Sequence, residues 1–171
     1  MSGDLFSPDR HGDSDSAAGL LDFAVNVREG PPRFVLDALG ARLPDLARYP
    51  TAADEARAVA AVAAAHGRPA EEILLLSGAA EGFELLPRLG IRHAALIQPS
   101  FTEPELALRA AGIPITQVVL ERPWRLGADD IARLIPADAD LVVIGNPTNP
   151  TSVLHPAATI EALRAPGRVV V

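Results

Sequence analysis

Short apolar runs of strand length recur along this chain at residues 73–76, 94–97 and 141–144, each followed by small or turn-forming residues and then by helical spacing. A run that is apolar at every position cannot keep one face in water, so it belongs to a sheet covered on both sides. Parallel strands need long crossover connections, and helices supply them. Further strands are expected at 115–120 and 168–171, and helices at 33–43, 53–66, 77 to about 89, 102–111, 128–134 and 157–163. The class is α/β, with a mostly parallel sheet and helices on both faces. Ligands of such sheets bind beyond the carboxyl ends of the strands, where this sequence places three segments: 77–81, 99–102 and 145–151.

Residues 1–20 are rich in Ser, Asp and Gly and cannot bury enough apolar surface to offset their ordering entropy, so a disordered tail is expected there. Residues 53–66 are rich in alanine, with Asp54 and Glu55 near the start and Gly67 where a C-cap would stand. No internal repeat is present.

The composition closes several routes. The 171 residues contain 15 arginines, no lysine and no cysteine, and the 22 acids leave a net charge of -7. The arginines are scattered singly, which argues against a nucleic-acid partner. No thiol can act as nucleophile, no P-loop lysine exists, and no lysine can form a Schiff base. No apolar run approaches a membrane span and the N-terminus does not read as a signal peptide, so a cytoplasmic protein is expected. His11, His66, His93 and His155 lack metal-ligand spacing, and no metal site is expected. Trp124 reads as cover for the core edge. Asp129, Asp130, Asp138 and Asp140 read as turn and helix caps.

Each strand end admits two readings when taken singly. Ser77, Gly78, Ala79 and Ala80 could expose backbone N–H groups to a phosphate at a helix start, or only form a tight turn. Phe101 could offer a face to a planar ligand, or pack in the core. Asn149, between two prolines, could point into the crevice or cap its own turn.

Together the segments are more specific. Arg48-Tyr49-Pro50, then residues 71–81, then Gln98-Pro99-Ser100-Phe101-Thr102-Glu103, then Gly145-Asn146-Pro147-Thr148-Asn149-Pro150-Thr151 resemble, in this order, the class I/II pyridoxal-phosphate aminotransferases. The nearest branch is that of histidinol-phosphate aminotransferase and threonine-phosphate decarboxylase. Residues 22–32, with Asn26 ahead of Gly30-Pro31, resemble that branch's opening. The resemblance implies that residues 49–171 are the N-terminal part of the large domain of a fold-type-I enzyme, incomplete in its sheet, and that 21–48 are an N-terminal arm or small-domain segment. It further implies that Gly78, Ala79 and Ala80 hold the phosphate of pyridoxal 5'-phosphate, that Phe101 stacks on its ring, and that Asn149 meets its phenolic oxygen. Tyr49 would reach the cofactor phosphate of a neighbouring subunit, and Asn26 would lie near the substrate carboxylate.

The implied partners are a small amino-acid substrate in the complete enzyme and either a second copy or a complementing C-terminal half, with no nucleic acid and no membrane. Two departures stand out: Ser152 follows Pro150-Thr151 where the family has Gly, and Ala80 replaces a polar residue. The family's Asp for the ring nitrogen and its Schiff-base Lys have no counterpart among these residues. The chain is therefore expected to be an N-terminal half, inactive alone. The competing reading is a non-catalytic α/β module that binds a phosphorylated ligand or a partner.

Overall fold

The computed structural model describes Gly19 and residues 30–171. The expected tail apart from Gly19, the 21–29 portion of the arm and Asn26 lie outside the described residues. The chain divides between Leu75 and Leu76 into two compact units.

In the first unit, α1 (Arg33–Arg42) runs into a 3-10 turn at Leu43–Ala47. Helix α2 (Ala52–His66) follows, its start fixed by a capping box in which Asp54 N–H donates to Thr51 Oγ1 and Thr51 N–H donates to Asp54 Oδ2. Arg48 also donates to Asp54 at 2.8 Å, and with Thr51 it holds that carboxyl well below the usual range. Gly67 ends the helix at φ 60, the left-handed conformation glycine adopts at low cost.

In the second unit, β1 (Ala94–Gln98), β2 (Ile115–Val119), β3 (Leu141–Val143) and β4 (Val169–Val170) form a parallel sheet in the order β2-β1-β3-β4. Ala94 stands opposite Ile115 on one side and Leu141 on the other, and Leu141 opposite Val169. Alternate residues serve two cores. Ala95, Ile97 and Val142 pack with Ile135 and Leu163, on the side of α5 (Ala128–Leu134) and α6 (Ala157–Ala162). Ala94, Leu96 and Leu141 pack with Leu86 and Leu108, on the side of α3 (Ala79–Leu85) and α4 (Glu103–Ala110). The α/β class with both faces covered is thus observed. Pro87 turns the expected long helix after residue 77 into α3 followed by a 3-10 turn at Leu86–Leu89.

One expected strand is corrected. Residues 73–76 form no strand: Ile73 has an extended backbone at φ -104 and ψ 123, but no described segment pairs with it. Leu74, Leu75 and Leu76 are exposed. A strand is made by its ladder, and an apolar run without partner backbone cannot satisfy one.

The amino ends of the central strands are tied by Asp140. Its carboxylate accepts from the backbone N–H groups of Arg92 and His93 at 3.0–3.2 Å and from Arg92 Nε at 3.0 Å. The His93 backbone bond leads in lowering its pKa to about 2. Asp130 closes a box with the Gly127 N–H at the start of α5, and Asp138 pairs with His93 Nδ1. Trp124, partly buried against the core, lies beneath the Arg122 guanidinium at 4.6 Å.

Candidate functional site

The carboxyl ends of β1 and β3 lie side by side because their strands pair directly. After β1, Ser100 N–H donates to Gln98 Oε1 at 2.7 Å, turning the chain toward α4. Phe101 is half-buried and meets Phe83 of α3 with ring centroids 5.1 Å apart and planes tilted by 47°. It is therefore neither fully core nor fully open.

After β3 comes Gly145, where a Cβ would lie 3.3 Å from Thr148 Cα and 3.5 Å from Ser100 Oγ. The loops that follow the two strands thus come close at this point, and the tight approach a larger residue would meet is to Thr148 within its own loop. From here the chain makes a braced excursion. Thr148, buried, donates its hydroxyl to Gly145 O at 2.7 Å and its N–H to Val153 O at 2.9 Å. Ser152 N–H donates back to Thr148 O at 2.6 Å. At the base of the loop Asn146 Nδ2 donates to His155 O at 3.2 Å, while His155 N–H donates to Asn146 Oδ1 at 2.7 Å. Asn149 stands exposed near the tip, and its side chain takes no part in these bonds.

Ser152 adopts φ +57, a left-handed conformation that disfavours a side chain. This is the physical reason why glycine suits that position. His155 is 4% exposed, and burial, with Arg125 as a second cause, pushes its pKa below the ordinary value.

The third segment begins with Gly78 at φ 85, again a glycine conformation, followed by the first N–H groups of α3, which have no partner within the helix. Ser77 N–H is taken by the Glu81 carboxylate at 2.5 Å. Gly78, Ala79 and Ala80 are all exposed.

Tyr49 belongs to the first unit and is 93% exposed. That unit also holds a cavity of about 680 Å³ lined by Leu39, Leu43, Leu46 and three arginines, of which Arg42, Arg48 and Arg57 all pair with Asp54. Among the described residues no group of three or more His, Asp or Glu converges as a metal site would require. No described helix is long and apolar enough to cross a membrane.

The structure thus places Phe101 and Asn149 on loops that leave adjacent strand ends, close together at Gly145 and Ser100. Reading the sequence for chemistry missed the residues that brace Asn149, namely Asn146, Thr148 and His155. The signal available was the repeated Asn-Pro pair, which marks two turns in five residues.

Residues 19–170 match the family described as aminotransferase class I and II. Over 162 residues the chain is 56% identical to a histidinol-phosphate aminotransferase of Mycobacterium tuberculosis, covering 94% of this chain and 43% of that protein. It is 33% identical over 148 residues to the threonine-phosphate decarboxylase of Salmonella typhimurium, covering 84% of this chain and 40% of that one. The fold is similar to the crystal structure of histidinol-phosphate aminotransferase from Sinorhizobium meliloti in complex with pyridoxal-5'-phosphate. That likeness has a TM-score of 0.70 at 21% identity and covers 82% of this chain and 40% of that one. The chain spans less than half the length of the curated relatives it matches.

Proposed function

The chain belongs to the class I and II aminotransferase family, and we propose that it forms the N-terminal, cofactor-holding part of a pyridoxal-phosphate enzyme of the histidinol-phosphate aminotransferase type. The substrate class is an amino acid or amino-acid phosphate. Bound pyridoxal phosphate supplies an electron sink for bonds broken at the α-carbon of an amino acid.

The observation that carries the reading is the exposed Asn149 amide, held on a braced loop whose root lies close to the loop of Phe101. The donor set fits the group. An amide N–H is a neutral donor suited to a phenolate oxygen. Phe101 supplies an aromatic face, and the Ala79 and Ala80 N–H groups with Gly78 supply donors for a phosphate. Ala80 adds no side-chain donor, so phosphate affinity rests on backbone. Asn26 would orient the substrate carboxylate, and Tyr49, fully in solvent in this chain, would serve a neighbouring subunit in a homodimer.

The chain has no lysine, so the cofactor bound to it is held without a covalent bond, and the isolated chain is expected to be inactive. Equilibrium dialysis of the folded chain with pyridoxal phosphate tests this. The expected result is reversible binding that Asn149→Ala weakens about tenfold, the scale of one hydrogen bond to a charged group. A folded chain that binds no cofactor, or binds it equally well after Asn149→Ala, would overturn the reading and favour a module with another ligand.

A further inference from the structure

We propose that Asn146 is a positioning residue whose side-chain amide clasps the two ends of the 146–155 loop and thereby fixes Asn149 for its ligand. The choice of ligand rests on the functional reading above; the clasp itself rests on geometry alone.

The amide of Asn146 meets the peptide of His155 at both of its polar atoms, Oδ1 accepting at 2.7 Å and Nδ2 donating at 3.2 Å. A side chain here does what a paired strand would do, in a stretch that has left the sheet. Above the clasp, Thr148 bridges to Val153 and Ser152, and its hydroxyl reaches Gly145. Every one of these bonds is internal to the loop and its root, and Asn149 stands among them with its own amide uncommitted. His155, whose peptide the clasp holds, is buried, and Thr148 within the loop is 7% exposed.

An exposed amide on a long loop would ordinarily sample many orientations, and ordering it on binding would cost conformational entropy. Bracing the loop beforehand removes most of that cost from the binding step. Among the described residues Asn146 is the one side chain that joins the two ends, so it is where the bracing is most sensitive. No proton or electron moves in this role. The consequence is a loop whose order depends on one amide, and a binding residue whose affinity depends on a neighbour that does not touch the ligand.

Amide-resolved NMR of the full chain, with hydrogen exchange, separates the outcomes. In Asn146→Ala, protection of the His155 amide should fall about tenfold or more. The Asn149 side-chain resonances should broaden, while the amides of β1 and β3 stay protected. Asn146→Asp retains an acceptor for His155 N–H and loses the donor, so it should restore part of the protection. Pyridoxal phosphate affinity of Asn146→Ala should fall about as far as that of Asn149→Ala, roughly tenfold. Unchanged Asn149 resonances, loss of protection throughout the sheet, or unaltered cofactor affinity with a loosened loop would each overturn the clasp. If the parent chain binds no pyridoxal phosphate, the functional reading fails and the clasp is decided by the NMR results alone.

Discussion

Two runs of four apolar residues, Ile73-Leu74-Leu75-Leu76 and Leu141-Val142-Val143-Ile144, look alike on paper and end differently. The second is buried throughout and lies between β1 and β4, with Leu141 and Val142 fully excluded from water. The first is extended at Ile73 and leaves three leucines exposed. Residue type does not separate them. What separates them is partner backbone on both sides, together with Asp140, which ties the entrance of β3 to that of β1. Apolar character makes a segment want burial, but only a neighbouring ladder lets it be buried without losing its backbone hydrogen bonds.

The sharpest way to break this comparison is truncation in each run. Leu141→Ala should destabilise the chain by about 3 kcal/mol, since a fully buried leucine leaves a cavity. Leu75→Ala, at a side chain 41% exposed, should change stability by less than about 0.5 kcal/mol. Urea unfolding of the two variants decides the matter, and equal losses would mean that 73–76 is packed.

A smaller effect is expected at the tie. Asp140→Asn should lower the unfolding midpoint at neutral pH. Because the folded pKa is depressed, the stabilisation is present above the ordinary carboxylate pKa of about 3.9 and lost as pH falls through the folded value. The gap between parent and variant should therefore close as pH drops toward about 2. A gap that persists in acid would show that the carboxylate charge is not what ties the strands.

The smallest effect belongs to the loop that leaves β3. Ser152→Gly relieves a side chain at φ +57 and should raise stability by a few tenths of a kcal/mol, up to about 1, measured as a shift in Tm. A loss would mean that the Ser152 side chain contributes contacts that outweigh its conformation.

Much of this was legible from the chain. The strands near 94, 115 and 141, the helices between them and α2 all follow from apolar runs, alanine content and residues such as Asp54 and Gly67. The order of Tyr49, Gly78, Phe101 and Asn149 carried the family resemblance, and the match over residues 19–170 bears that resemblance out. The state of 73–76 was not legible, because a strand depends on residues far away in sequence. Nor was the bracing of Asn149, since Asn146 and His155 meet through a backbone path that no local propensity encodes.

The sequence by itself determined the class of fold, through the spacing of its apolar residues, and the chemistry open to it, through 15 arginines without a lysine or a cysteine. Tertiary structure alone decided which apolar run became a strand and which residues hold the Asn149 loop. Periodicity and side-chain chemistry are properties of a stretch of chain, whereas ladder pairing and the clasping of a loop are relations between stretches, and those exist only once the chain has closed on itself.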